Sequence, residues 1–252
     1  MYTFLPMVAL GIVVGGLVNY LADVLPTQRR IERPICTQCG NRQSWPGYLL
    51  WPRKCPNCGL KRGTRTWFTE LIFVMVTIWL WFDPPDRIGF SIGLLLLIYF
   101  AIVVVIDIEH RIILHPVSIA GAVVGTVVGT WMHGISATLI GGVAGFGIMF
   151  ILYLGGNLFA QRIARLRSVQ IDEVALGFGD VNLSGVLGLL IGWPGIMAGL
   201  IIAVLIGGFI SLIYMIWMIV NRRYQAFTPI PYGPFLIAGG IVLLFFKDVL
   251  FF

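Results

Sequence analysis

Charged side chains are scarce in this chain, and acidic ones are the scarcest. Only 11 of the 252 residues are Asp or Glu, and charged residues of both signs make up 11% against 58% hydrophobic residues. Soluble domains carry about a quarter charged residues, so this composition excludes a soluble globular domain of this size. The apolar runs are long enough to cross a bilayer, which takes about 20 residues. We therefore expect an all-α polytopic membrane protein.

Eight apolar runs are candidate transmembrane helices. The first has neither a basic start nor a small-residue cleavage site, so we expect a permanent span and not a removed signal peptide. The predicted organisation is a first span in residues 1–25, a polar segment in 26–66 and a seven-span core in 67–252. The approximate bounds of the eight runs are 4–25, 67–83, 88–106, 117–133, 135–159, 181–193, 195–220 and 233–251.

Basic residues predict which face of the membrane each loop occupies. Fifteen of the 17 Lys and Arg residues fall in four segments: 26–66, the turn at Arg111, the loop after the fifth span and the loop after the seventh. With eight spans, all four segments lie on one face, which an excess of Lys and Arg marks as cytoplasmic. Both termini then lie outside. This bias accounts for the net charge of +6, and no nucleic-acid partner is expected.

All cysteines of the chain lie in the polar segment, in two CxxC pairs with 15 residues between them. Two such pairs are typical of a structural zinc site, in which four thiolates close a tetrahedron and leave no open position for catalysis. The alternative is two disulfides, which a cytoplasmic, reducing location disfavours. Gly40 and Gly59 follow the pairs, as a tight turn favours. The predicted zinc ligands are Cys36, Cys39, Cys55 and Cys58.

Two aspartates stand at the edges of apolar runs, on the face predicted to be cytoplasmic. Asp107 follows the third run, and Asp180 begins the sixth directly after Gly177-Phe-Gly179. A carboxylate beside hydrocarbon is costly, so such residues tend to be functional. Two carboxyl groups brought together can share a proton and activate water, as in aspartic proteases. For either aspartate alone, capping of a helix end is the alternative.

Several motifs along the chain, in this order, resemble the prepilin peptidase family. These are the membrane aspartic proteases that process type IV pilins and type II secretion pseudopilins. The resemblance covers the whole length. The motifs are Gly15-x3-Asn19-x6-Pro26, the double CxxC, Arg65-x4-Glu70-Leu71, Asp107, Gly177-x-Gly179-Asp180 and Ile230-Pro-Tyr-Gly-Pro-Phe235.

The resemblance implies a function, a location and partners. It implies cleavage of a short basic leader after a glycine, in prepilins or pseudopilins, at a bacterial inner membrane. Asp107 and Asp180 would be catalytic. In bifunctional members it also implies N-methylation of the new N-terminus with S-adenosylmethionine, although the sequence has no glycine-rich nucleotide-binding strand–turn–helix. Two alternatives stay open: an aspartic protease for another membrane substrate, and a zinc-stabilised membrane assembly factor without catalysis.

Four further residues are candidates for substrate binding. Gly177 and Gly179 allow close approach of an extended peptide. Glu109 lies two residues after Asp107, where it can help to position substrate. For Glu70, at the start of the second span, pairing with a nearby arginine is the alternative to substrate contact.

Two stretches depart from the family pattern. Leu114 and His115 stand where the family usually has Pro-Asp or Pro-Asn, and Asn182 stands where it usually has lysine. The missing lysine predicts either a shifted pH optimum or a change in how the peptide is positioned.

Overall fold

The computed structural model describes residues 4–36, 38–49, 53–167, 176–222 and 231–246. In these ranges the chain is helical, and β pairing is limited to two isolated bridges. The helices are α1 (Phe4–Gln28), α2 (Trp45–Leu49), α3 (Thr64–Phe82), α4 (Gly89–His110), α5 (His115–His133), α6 (Ile135–Arg167), α7 (Phe178–Ile191), α8 (Gly195–Val220) and α9 (Gly233–Phe245).

Helix length and composition confirm the predicted class of all-α membrane protein. Six helices, α1, α3, α4, α5, α6 and α8, are long and apolar enough to cross a membrane, and α7 and α9 are apolar but shorter. Each of the eight predicted runs therefore corresponds to a helix, while a count of eight spans stays a prediction. Of the sequence features discussed above, Ile230 and the end of the eighth run, residues 247–251, lie outside the described residues.

The chain forms two compact units, Met1–Ile106 and Asp107–Phe252, and their boundary falls inside α4. In the first unit, α1 packs on α3 through its glycines. A Cβ added at Gly11 would lie 2.6 Å from the Val74 Cα, and one at Gly15 would lie 2.7 Å from the Glu70 Cα. Small residues allow helices to approach this closely where lipid supplies no hydrophobic drive.

Ion pairs attach the polar segment to α1 and α3. Arg53 donates to the Glu70 carboxylate at 3.0 Å, and the two side chains are only 10% and 8% exposed. Arg62 and Arg65 both donate to Asp23 on α1. For Glu70, the structure therefore contains the arginine pairing that was one of its two interpretations.

Tyr48 on α2 joins the same cluster around Asp23. Its hydroxyl donates to the Asp23 carboxylate, and the Arg62 guanidinium lies 3.8 Å above its ring. Burial raises the pKa of the Tyr48 phenol, and the Asp23 charge raises it further. The phenol consequently stays protonated and acts as a donor.

In the second unit, α7 is held between α5 and α6 by contacts between backbones. A Cβ at Gly141 of α6 would overlap the carbonyl oxygen of Gly188, and one at Gly188 would overlap that of Gly141. Ser184 donates to the Gly145 carbonyl at 2.9 Å, and its side chain is fully buried. This packing buries most of α7 and fixes the helix that begins with the Gly177–Asp180 motif.

Candidate active site

Both candidate catalytic aspartates lie in the second unit, near helix ends. Asp107 occupies the last turn of α4 and is 5% exposed, and Asp180 occupies the first turn of α7 and is 8% exposed. The two carboxyl groups are close enough to interact electrostatically. The structure thus brings together the two aspartates that the sequence analysis paired.

One backbone N–H group holds each carboxyl group. Gly233, the first residue of α9, donates to Oδ2 of Asp107 at 3.1 Å. Gly177 donates to Oδ2 of Asp180 at 3.3 Å. Asp180 therefore has the helix-capping bond that was its alternative interpretation, and it is also a buried carboxyl group next to a second one. Hydrogen bonds from N–H groups partly offset the cost of burying a carboxylate.

Glycine is required where these elements meet. A Cβ at Gly233 would lie 2.5 Å from Oδ2 of Asp107, and a Cβ at Gly179 would lie 2.8 Å from the Cβ of Ile113. Ile113, in the connection between α4 and α5, also lies against Gly233. The Gly177–Asp180 motif, the start of α9 and the end of α4 are thus packed around one point.

Phe178, the variable residue of the Gly-x-Gly-Asp motif, is anchored on α6. Its ring makes edge contacts with Phe146 and Tyr153, at centroid distances of 6.4 Å and 5.9 Å. Such pairs contribute about 0.5–1.5 kcal/mol beyond area burial. We infer that they hold the extended residue Gly177 in place for its bond to Asp180.

The other predicted site residues are distributed differently. Glu109 is exposed on α4, two residues beyond the buried Asp107. Two residues on a helix turn the side chain by about 200°, so Glu109 and Asp107 face different ways. Glu70 belongs to the first unit, in its pair with Arg53. Substrate contact by Glu70 and Glu109 stays a prediction.

Sequence reasoning gave no role to two residues that the structure places at the aspartates. Gly233 and its neighbour Tyr232 lie in the Pro-Tyr-Gly-Pro run, which entered the resemblance without a function. Tyr232 is close enough to Asp180 to interact with it electrostatically. The sequence signal that could have indicated these residues is the pair Pro231 and Pro234, which flank Gly233 at the start of an apolar run.

The four cysteines form a second site, in the first unit. Their Sγ atoms all lie within 4.8 Å of one another. The Cys36–Cys58 and Cys39–Cys55 Sγ pairs are 3.5 Å apart, and all four thiols are free. Tetrahedral zinc with Zn–S bonds near 2.3 Å separates its sulfur ligands by about 3.8 Å. The cluster therefore fits one zinc ion and does not contain the alternative disulfides.

Two matching turns present these thiols. The Gly40 N–H donates to the Cys36 carbonyl, and the Gly59 N–H donates to the Cys55 carbonyl, each at 2.9 Å. Gly40 and Gly59 have φ of 69° and 71°, a conformation that glycine adopts without strain. An isolated antiparallel bridge closes each turn.

Backbone donors favour the thiolate at the first cysteine of each pair. The N–H groups of Cys39 and Gln38 lower the pKa of Cys36 to about 6. In the second turn, the N–H groups of Cys58 and Asn57 lower the pKa of Cys55. Thiolates are the form that binds metal.

Comparison with known proteins gives the same family as the motifs. Residues 94–212 match the model of the type IV leader peptidase family. The matched segment is just under half of the chain, and its similarity to this family supports a protease. Asp107 and Asp180 fall inside the matched segment, and the cysteine turns lie before it.

Several relatives of this chain carry the name prepilin leader peptidase/N-methyltransferase. The one from Aeromonas hydrophila is 24% identical over 236 residues, which cover 88% of this chain and 74% of that protein. The one from Burkholderia pseudomallei strain K96243 is 24% identical over 276 residues, with 95% and 84% covered. The one from Legionella pneumophila is 26% identical over 228 residues, with 86% and 74% covered. No solved structure matches the chain.

Proposed function

We propose that this protein is a membrane aspartic endopeptidase with Asp107 and Asp180 as its catalytic pair. Its substrates would be type IV prepilins or pseudopilins, cut after their basic leader at the cytoplasmic face of a bacterial inner membrane. The observation that carries this proposal is the pair of buried carboxyl groups, each held through one oxygen by a backbone N–H.

The chemistry follows from that arrangement. One carboxylate accepts a proton from a water molecule, and the other carboxyl group, protonated, donates a hydrogen bond to the scissile carbonyl oxygen. The water oxygen bonds to the carbonyl carbon, and the C–N bond breaks once the pair returns a proton to the leaving nitrogen. Because the glycine N–H groups take Oδ2 of each aspartate, Oδ1 is left for water and substrate. The protonation steps belong to the pair and not to either residue alone.

The four cysteines would hold zinc in a structural role. Four thiolates fill a tetrahedral ion, so when bound it supplies cross-linking of the two turns and no reaction step. The buried pair from Arg53 to Glu70 and the half-buried pair from Arg62 to Asp23 would then fix the segment on α1 and α3.

N-methylation of the new N-terminus is a second candidate activity. It is favoured by the N-methyltransferase name of the relatives, and S-adenosylmethionine would be the donor. Within the described ranges no residues form a strand–turn–helix nucleotide site, so a donor site would have to be of another kind.

One assay tests both activities. Purified protein in detergent is incubated with a prepilin, with and without S-adenosylmethionine, and the products are weighed by mass spectrometry. We expect loss of the leader, and methylation would add one methylene to the mature product. Asp107→Asn and Asp180→Asn should each abolish cleavage, whereas Asp86→Asn, an exposed acid before α4, should not. Full turnover by Asp107→Asn would exclude this pair.

The same assay separates the alternatives. A protein that cleaves other membrane peptides but no prepilin would be an aspartic protease with a different substrate. A folded, zinc-loaded protein that cleaves neither class would be an assembly factor.

A further inference from the structure

Ile113 lies between the two elements whose backbone N–H groups hold the aspartates. It belongs to the connection between α4 and α5, and its side chain is half-buried. Its Cβ lies 2.8 Å and its Cγ1 3.2 Å from the place that a Cβ at Gly179 would occupy. Its Cδ1 lies 3.6 Å from the corresponding place at Gly233. The side chain thus extends from the Gly177–Asp180 motif to the start of α9.

The Cδ1 end of this side chain lies next to the Asp107 carboxyl group. The place that a Cβ at Gly233 would occupy is 2.5 Å from Oδ2 of Asp107 and 3.6 Å from Cδ1 of Ile113. The methyl group and the carboxyl group therefore both adjoin the point where a side chain of residue 233 would begin. Since Cβ and Cγ1 of Ile113 contact Gly179, Cδ1 is the part of the side chain that adjoins Asp107.

A substrate has to bring its own backbone into this crowded space. For the proton transfers, the scissile carbonyl must come within about 2.6–3.2 Å of the carboxyl oxygens. A Cβ on the residue before the cut is only two covalent bonds from the carbonyl carbon, so it enters the same space, whereas glycine has no Cβ. The protein itself has glycine at 179 and 233, where a Cβ would meet Ile113 and Asp107.

We propose that Ile113 restricts cleavage to peptides with glycine directly before the scissile bond, because its Cδ1 methyl group occupies the space that a Cβ of that residue needs. This proposal rests on the proposed function, since it concerns the peptide bond between Asp107 and Asp180. It assigns to one side chain of this protein the selectivity for glycine that the family resemblance implies. Ile113 has no polar atom in its side chain, so its role is in specificity and not in proton transfer.

The exchange of one methyl group between enzyme and substrate tests this assignment. Ile113→Val removes only Cδ1 and keeps the β-branched part of the side chain against Gly179. Alanine in place of glycine before the cut adds one methyl group to the substrate. Ile112→Val is the matched control, because Ile112 has the same side chain in the same connection and is 43% exposed.

The measurement is a competition between two prepilins that have glycine or alanine as the last leader residue. Both are cleaved in one reaction, and the released leaders, which differ by one methylene, are quantified by mass spectrometry. We expect Ile113→Val to raise the alanine-to-glycine ratio of kcat/KM about tenfold or more, as one methylene does in an apolar pocket. Ile113→Ala should raise the ratio at least as much, and Ile112→Val should leave it unchanged. A protein that is merely less stable loses both activities alike, so its ratio does not change.

Each other outcome has a definite meaning. An unchanged ratio in both Ile113→Val and Ile113→Ala overturns the proposal. Wild-type cleavage of both prepilins at equal rates also overturns it and leaves the proposed function standing, whereas wild-type protein that cleaves neither refutes the proposed function. A third prepilin is altered in the residue directly after the cut. If Ile113→Val changes the preference there and not before the cut, Ile113 contacts the other side of the bond and the assignment is wrong.

Discussion

The Asp107 carboxyl group leaves no room for a side chain at residue 233. The Gly233 N–H must approach Oδ2 of Asp107 to 3.1 Å, and any Cβ would lie 2.5 Å from the same oxygen. A single methyl group therefore displaces the carboxyl group, removes its donor, or does both.

We predict that Gly233→Ala lowers kcat/KM by about 100-fold, because a misplacement of about 1 Å has that effect in active sites. Gly208→Ala on α8 is the control, since a Cβ there meets open space. Leader cleavage and thermal unfolding are measured on both proteins. Wild-type kcat/KM in Gly233→Ala would show that the Gly233 bond does not position Asp107 for catalysis.

Glu70 has two interpretations that can be separated at the same scale. Its pair with Arg53 is buried, and Trp67 packs 4.5 Å from the guanidinium. Removal of one partner of a buried pair leaves an uncompensated charge, which costs about 3 kcal/mol or more.

We predict that Glu70→Gln loosens the polar segment, and that the double variant Arg53→Met/Glu70→Met recovers much of the loss because no charge is left buried. Denaturant unfolding and the rate of proteolysis within residues 38–63 are the measurements. If Glu70 contacts substrate instead, Glu70→Gln will raise KM while stability stays unchanged.

At the scale of elements, the two cysteine turns form a unit that is too small for a hydrophobic core of its own. The apolar cluster of Tyr20, Val24 and Tyr48, with Leu21 and Leu49 beside them, lies between α1 and α2 and contains no residue of the two turns. Metal binding in such a segment contributes directly to its folding free energy.

We predict about one zinc per chain by elemental analysis, as four thiolates require. Cys58→Ser should lower the zinc content and speed proteolysis of the segment, and it should affect leader cleavage far less than Asp107→Asn does. Ser44→Cys, which keeps all four ligands, is the control. Metal-free protein with an intact, protease-resistant segment would contradict the zinc assignment.

Hydrophobic runs predict where helices exist better than where they end. The third run ends at residue 106, but α4 continues through Asp107 to His110. The sixth run begins at 181, but α7 begins at Phe178 because Gly177 is extended and caps it. Hydropathy measures transfer to lipid, whereas these ends depend on backbone hydrogen bonds.

The aspartates could be found from the sequence because each has a local context. Gly233 could not be given its role, because its bond to Asp107 crosses 126 residues and uses a backbone N–H. Every residue except proline has that group, so the side-chain pattern carries no signal for it.

At the scale of the whole molecule, the basic residues predict a single cytoplasmic face. The segment 26–66 and the loops near residues 111, 165 and 222 hold fifteen of the 17 Lys and Arg residues. Proteolysis by the proposed pair requires Asp107 and Asp180 on the same side of the membrane.

Reporter fusions test this topology. We predict cytoplasmic signals for fusions at 111, 165 and 222, and external signals for fusions near 84 and 134, because loops rich in Lys and Arg stay inside. A fusion within 40–60 serves as the cytoplasmic reference. An external signal at 165 with a cytoplasmic 40–60 would put the two aspartates on opposite faces and exclude the mechanism.

The two shortest apolar helices have a consequence for the supply of water. With 14 and 13 residues, α7 and α9 are about 20 Å long, while the hydrocarbon core is about 30 Å thick. Both helices begin at the glycines that bond the carboxyl groups. If the missing 10 Å or so lies at those ends, the aspartates sit at the bottom of a hydrated depression in the membrane surface. Hydrolysis consumes one water molecule per bond cleaved, and such a depression would deliver it without any opening between the helices.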